Sequence, residues 1–259
     1  MTRNVQTQHY VRTLQPRKLE GGQYMREKES ILSKDQKVFY RQNGYLVIDD
    51  ILSSKECDAA LKIFEEHADK DYSAIMNLDR KVPEIRNIMK NSKIVKILET
   101  LQDAEVVGLQ TMFLFKQVGS PYAEQAWNPH QDNAYPLSRW GAYVTANIPF
   151  EDQDQENGCI VIYPGSHVED VLPNEQVKSF QEAPGSRPGH CVQVPPEYKK
   201  VDLILKKGSV LILHGNVIHE SYPNASKDRS RPMLLIPYIT KGEKFIPGKT
   251  AQRMEIALR

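Results

Sequence analysis

The sequence predicts a mainly β fold with flanking helices, a jelly-roll or double-sheet barrel braced by helices on one face. Two observations carry this. Helical patterns are confined to the stretch before Glu105. Beyond it come many short runs rich in Val, Ile, Leu, Phe and Tyr, separated by turn signals such as Pro164-Gly165, Lys207-Gly208 and Pro223-Asn224. With 259 residues, 40% of them hydrophobic, one large domain is expected over residues 31–259, preceded by a polar arm over residues 1–30.

The elements follow in order. Ser33-Lys34-Asp35-Gln36 and Ser53-Ser54-Lys55-Glu56 are capping-box patterns, in which the hydroxyl accepts from the N3 amide and the Gln or Glu reaches back. The first helix should end at Asn43-Gly44, where glycine takes the left-handed cap. Tyr45-Leu46-Val47-Ile48 reads as a short buried strand. A third helix is predicted from about Ile85 to Leu101, where Ile85, Ile88, Met89, Val95, Leu98 and Leu101 recur mostly at helical spacing. Strands are predicted over Val106–Val118, Ala142–Phe150, Cys159–Tyr163, Val201–Leu205, Ser209–His214 and Met233–Thr240. The stretch from about Val168 to Lys200 holds five prolines and two glycines, so it cannot form one regular element and reads as a long insert loop.

Composition excludes several function classes. A net charge of +1 argues against a nucleic-acid or anionic-membrane role, which would need a concentrated basic face. No apolar run approaches the roughly 18 residues a membrane span requires. Cys57, Cys159 and Cys191 are too few and too widely spaced for a disulfide framework or a CxxC zinc site. Such cysteine usage fits a reducing, cytoplasmic location, with organelle import left open. The arm carries Arg3, Arg12, Arg17 and Lys18 but no clear apolar face, unlike a transit peptide.

The chemistry begins with Asn128-Pro129-His130-Gln131-Asp132-Asn133, followed 89 residues after His130 by His219. On a strand, residues two apart share a face, so His130 and Asp132 can point the same way. Two imidazoles and a carboxylate on one side of a metal leave its other positions open. That set suits Fe(II), and also Mn(II), Zn(II) or Co(II). His219 closes the run from Ser209 through His214, and Arg231 opens the apolar strand that follows. An arginine facing the metal from a neighbouring strand can hold a carboxylate bidentately, and Arg229 competes for that role. His-x-Asp alone arises often by chance. The ordered set carries the weight.

Four segments in that order resemble the phytanoyl-CoA dioxygenase family of Fe(II)/2-oxoglutarate oxygenases, over roughly residues 33 to 240. They are Leu32-Ser33-Lys34-Asp35-Gln36 through Glu56-Cys57, and Pro129-His130-Gln131-Asp132-Asn133-Ala134-Tyr135. Glu156-Asn157-Gly158 through Pro164-Gly165-Ser166-His167 is the third, and Gly208-Ser209-Val210 through His219-Glu220-Ser221 to Arg231 the fourth. The resemblance implies a double-stranded β-helix (jelly-roll, cupin-like) core. It carries metal ligation onto His130, Asp132 and His219, and the anchoring of 2-oxoglutarate onto Arg231. Ser221 matches a position against the co-substrate. Asn147 stands where many relatives have an aromatic residue, and Gln110 is expected to face the same pocket. Halogenating relatives lack the carboxylate, so Asp132 implies hydroxylation or a related oxidation, with O2 consumed and succinate and CO2 released.

Tyr135, Ser138, Arg139 and Trp140, with Arg187 and His190 of the insert loop, are expected around a mouth for a small-molecule substrate. His167 reads as part of a local turn and His214 as a partner orienting a ligand histidine. Two other classes stay open from the residues alone. One is a zinc hydrolase using the same three ligands around an activated water, the other a barrel that binds a small molecule without catalysis. Neither the substrate nor the oligomeric state is legible.

Overall fold

Both capping boxes form. In this computed structural model, which describes residues 30–68, 74–120, 123, 126–177 and 189–259, the helix α1 (Lys34–Asn43) starts with Ser33 Oγ accepting from the Gln36 amide at 3.1 Å and Gln36 Oε1 accepting from the Ser33 amide at 2.9 Å. Gly44 ends it at φ 76°, and a side chain there would meet the His167 ring at 2.6 Å, so glycine is required twice over. The chain then forms β1 (Tyr45–Ile48) and α2 (Ser54–His67), capped by Ser53 and Glu56 in the same way. A short β2 (Ala74–Met76) follows.

The third predicted helix is two. α3 (Pro83–Met89) ends at Lys90, and Asn91 caps α4 (Ser92–Gln102) by accepting from the amides of Lys93 and Ile94. The apolar pattern runs across the break because both helices bury the same side, with Ile85, Met89, Ile94 and Leu98 all fully buried. The predicted strand from Val106 to Val118 also divides, into β3 (Val106–Gly108) and β4 (Met112–Lys116).

The remaining strands are β5 (Trp127–His130), β6 (Tyr143–Pro149), β7 (Ile160–Ile162), β8 (Asn174–Val177), β9 (Gly189–Val192), β10 (Val201–Asp202), β11 (Val210–His214), β12 (His219–Ser221) and β13 (Arg231–Thr240). The insert stretch thus holds an antiparallel pair, β8 with β9, within what reads from sequence as loop. The Val201–Leu205 strand shortens to two residues plus a bridge from Leu205 to Gln153.

Two antiparallel sheets face each other. The larger has the order β1-β11-β6-β13-β4-β2, with β3 also on β13; the smaller has the order β10-β7-β12-β5. This is the double-stranded β-helix. Side-chain alternation divides the larger sheet into two working faces. Val144, Ala146, Ile148, Val210, Ile212, Leu234, Ile236 and Tyr238 join the core under the helices. There Phe64 of α2 stacks on Phe113 with centroids 3.7 Å apart. Each such fully buried ring contributes about 2–3 kcal/mol. The alternate residues face the barrel interior, and on β6 these are polar: Thr145 and Asn147, both buried. Polar residues on an inward face between two apolar cores mark where the site lies.

Candidate metal centre and cavity

β12 is hydrogen-bonded between β7 and β5, with His219 directly across from His130. The two rings lie 4.3 Å apart between centroids. Asp132 arrives differently from the strand-face geometry expected. His130 ends β5, and Asp132 opens a 3-10 turn, Asp132–Ala134, that swings its carboxylate back over the histidines. The strand predicted over Ser209–His214 forms as β11. β11 stops at His214, and the Gly215–Ile218 turn carries the chain from the larger sheet to the smaller.

These two ligand-bearing turns are tied together. The Asn133 amide donates to Gly215 O at 2.7 Å, Gln131 Nε2 to Asn216 O at 2.8 Å and Asn133 Nδ2 to Asn216 Oδ1 at 2.9 Å. Gly215 packs so closely that a Cβ would sit 2.7 Å from Tyr143 O, which reserves the position for glycine.

Asp132 Oδ1 lies 3.7 Å from Nε2 of His130 and 3.7 Å from Nε2 of His219. One donor atom from each residue falls within 4.8 Å of the others. Each imidazole has its Nδ1 against a backbone carbonyl, His130 on Asn128 O at 2.7 Å and His219 on Val217 O at 3.1 Å. Nδ1–H donation fixes the tautomer that leaves the Nε2 lone pair toward the cluster. Thr145 Oγ1 donates to Asp132 Oδ2 at 3.2 Å and leaves Oδ1 inward. Burial, with His219 facing it, pushes His130 down to about 4. A neutral imidazole is what a metal requires. The donor set and its open side fit Fe(II).

The cluster borders a cavity of about 430 Å³. Arg231, Ser221, Asn147 and Gln110 all line it. Arg231 is 1% exposed and shares its inward parity with Met233 and Leu235. Asn147 Nδ2 donates to Thr145 Oγ1 at 3.2 Å, and the buried Gln110 Oε1 has no hydrogen-bond partner. Behind Ser221 lies a residue the sequence did not reveal. Lys116 is fully buried, cross-strand from Arg231, and donates to Ser221 Oγ at 3.0 Å and to Tyr222 O. Burial first, and the neighbouring Arg231 second, push it down to about 6. A lone lysine after an apolar run has no pattern that announces burial.

Arg229 is elsewhere, bridging Asp154 at 2.7 Å and Glu156 at 2.7 Å on the surface. Of the expected mouth residues, Tyr135 and His190 line the cavity, their rings stacked 4.3 Å apart and 6° from parallel. Ser138 hydrogen-bonds Asn133, Arg139 pairs with Glu243, and Trp140 donates to His167 O; none of the three lines the cavity. Arg187 lies outside the described residues. His214 packs against His167 and Trp140 rather than a ligand histidine. Arg253 and Thr250 of the C-terminal segment also line the cavity. That segment shows no periodicity from which sequence reading could place them there.

Fold and site together define a double-stranded β-helix protein with a buried His-Asp-His cluster beside a cavity that holds an arginine. Comparison with known proteins makes this specific. The family model "Phytanoyl-CoA dioxygenase (PhyH)" matches residues 40–233, and the chain belongs to that family. It is an oxygenase, with iron, 2-oxoglutarate and O2 as the reactive partners of the family's chemistry. It is 25% identical over 254 residues to the peroxisomal phytanoyl-CoA dioxygenase of Rattus norvegicus, covering 88% of this chain and 74% of that one. It is 28% identical over 177 residues to the phytanoyl-CoA dioxygenase of Arabidopsis thaliana, covering 67% and 59%. Among solved structures, the non-heme alpha ketoglutarate dependent carbocyclase SnoK from nogalamycin biosynthesis superposes with a TM-score of 0.69 at 21% identity, over 88% of this chain and 95% of that one. The epimerase SnoN in complex with Fe3+, alpha ketoglutarate and nogalamycin RO gives 0.68 at 19%, over 82% and 85%. Both likenesses concern the fold. Among the described residues, no helix is long and apolar enough to cross a membrane.

Proposed function

We propose that this protein hydroxylates a small or medium organic substrate, with Fe(II) held by His130, Asp132 and His219 and 2-oxoglutarate anchored by Arg231. The observation that carries this reading is the convergence of two Nε2 atoms and Asp132 Oδ1 beside a cavity that also takes Arg231. A metal hydrolase would have no use for that buried guanidinium.

Each side chain then has a task. Arg231 pairs with the distal carboxylate of 2-oxoglutarate through its two-pronged fork. Ser221, held by Lys116, adds a hydroxyl donor at that end. Asn147 and Gln110 supply amide contacts along the co-substrate. Bound Fe(II) supplies activation of O2, coupled to decarboxylation of 2-oxoglutarate to succinate and CO2. Apolar walls, Met112, Leu114, Ile160, Met233 and Leu235 among them, exclude bulk water. The intact carboxylate of Asp132 supports hydroxylation over halogenation.

Residues 31–259 are read as one oxygenase domain acting on a small molecule in the cytoplasm, without nucleic acid. The test is succinate release by purified protein given Fe(II), 2-oxoglutarate, ascorbate and O2, with and without a metabolite panel. Substrate-stimulated succinate with an oxygenated product is expected. No succinate, together with no binding of 2-oxoglutarate to the metal-loaded protein, overturns the proposal.

A further inference from the structure

Arg231 and a second guanidinium, that of Arg253, border the same cavity from different ends of the barrel. Arg231 opens β13, while Ile239, eight residues on, pairs with Tyr143, the residue Arg253 faces. Eight strand residues span roughly 26 Å. Asp132 lies between these ends, hydrogen-bonded to Thr145, which pairs with Pro237 of β13. Arg253 also lies close enough to Tyr135 to act on its hydroxyl, and Tyr135 is 6.4 Å from His130 between ring centroids.

Arg253 is held by a strap. The Gln252 amide donates to Gly248 O at 2.9 Å and the Arg253 amide to Pro247 O at 2.9 Å. Asn77 Nδ2 donates to Ala251 O at 3.1 Å, and Arg80 to Gln252 O. Gln252 is left-handed at φ 48°, a conformation non-glycine residues keep only when their surroundings enforce it. The strap lies outside residues 40–233, the span matched by the family model.

Among the described residues, no carboxylate pairs with Arg253. Its Nη1 reaches the carbonyls of Ile246 and Pro247, both at 3.4 Å, its side chain hydrogen-bonds that of Tyr143, and its Nε is buried without a hydrogen-bond partner. Two carboxylates line the cavity among the described residues, Asp132 and Glu220. Asp132 belongs to the metal cluster. Glu220 alternates with inward-facing His219 and Ser221 on β12, and its carboxylate accepts from the Tyr163 hydroxyl at 3.0 Å.

We propose that Arg253, with the Tyr135 and Tyr143 hydroxyls, forms the subsite for a carboxylate on the substrate, so that the enzyme oxidises a small organic acid. This rests on the reading of the cavity as an Fe(II) and 2-oxoglutarate site. Arg231 takes the co-substrate at the end where β13 begins, and Arg253 takes the substrate at the end lined by Tyr135. A guanidinium paired with a carboxylate holds the molecule at two points, by charge and by direction. It thereby fixes which carbon faces the metal.

The test pairs short aliphatic, aryl and amino acids with their primary carboxamides and with phosphate monoesters of similar size. Succinate release above the substrate-free rate is measured with the Fe(II)-loaded, full-length enzyme. The wild type should favour one or more acids over the matching carboxamide by about 30-fold in kcat/KM, the scale of a lost charge-assisted pair. Arg253→Gln should collapse that preference to about threefold or less, mainly through KM, and Arg253→Lys should retain part of it. Added guanidinium ion should restore turnover of the acid by Arg253→Ala. Equal use of acid and carboxamide, a preference for the phosphate esters, an undiminished preference in Arg253→Gln, or stimulation by no acid while the wild type still binds 2-oxoglutarate would each overturn the subsite. Loss of 2-oxoglutarate binding by the wild type itself would instead defeat the underlying site reading.

Discussion

Replacing Arg231 with alanine should weaken 2-oxoglutarate far more than it weakens the metal. The guanidinium is 1% exposed, and its inward direction is set by strand parity, since Met233 and Leu235 two and four residues on share the cavity wall. Removing one partner of a desolvated, bidentate charge pair costs about 3–4 kcal/mol, or two to three powers of ten in Kd. Arg231→Lys keeps the charge but loses the fork, for an intermediate loss of about tenfold. Arg229→Ala is the control: its side chain is 38% exposed and committed to Asp154 and Glu156. Its effect on 2-oxoglutarate should stay within about threefold, because surface pairs contribute little at a distance. Calorimetric titration of the Mn(II)-loaded protein with 2-oxoglutarate measures all four proteins under anaerobic conditions. A larger loss in Arg229→Ala than in Arg231→Ala would refute the anchor assignment.

Three further outcomes follow from the same geometry. Lys116 binds fewer protons folded than unfolded between about 6 and its ordinary 10.5, so stability should rise with pH across that window. In chemical unfolding between about pH 7 and 9, Lys116→Met should flatten the rise, and equal slopes in both proteins would contradict the burial argument. Thr145→Val removes the hydrogen bond that turns Asp132 Oδ1 inward and should weaken Fe(II) by about 10- to 100-fold in an equilibrium metal titration; unchanged affinity would leave Thr145 without that role. Asn91→Ala removes the cap of α4 and should cost about 1 kcal/mol, lowering Tm by roughly 2–4 °C by calorimetry.

The sequence was most legible where one local rule determines the structure. Ser33 with Gln36, Ser53 with Glu56, and Gly44 form the caps their residue types require, because these contacts reach no further than one helical turn. Periodicity failed where two elements share a buried side. The apolar spacing from Ile85 to Leu101 continues through the break at Lys90, and the signal that ends it is Asn91, a strong cap inside an apparently continuous helix. The strand predicted over Ser209–His214 forms and ends at His214, although apolar residues follow it. Val217 and Ile218 are as apolar and as buried as strand residues, yet they lie in the turn between sheets, which the Gly215-Asn216 pair announces. Order along the chain places His130, Asp132 and His219 in one site, but the turn that returns Asp132 over the histidines exists only through Gln131 and Asn133 bonding to the distant Gly215-Asn216 segment. Lys116 shares strand parity with Met112 and Leu114, but parity alone does not announce a buried lysine, and Arg253 belongs to no periodic pattern. What each does depends on contacts with residues over a hundred positions away, Tyr222 for one and Tyr143 for the other.

Anaerobic titration of the metal-free protein with Fe(II) in the presence of 2-oxoglutarate, followed by visible absorption and by iron content, tests the metal centre most directly. One iron per chain is expected, with a charge-transfer band that needs both Fe(II) and 2-oxoglutarate. His130→Ala, Asp132→Ala and His219→Ala should each lose the band and succinate production. Iron binding and band intensity undiminished in any of the three would remove that residue from the centre, and a wild-type protein that binds no iron would contradict the account as a whole.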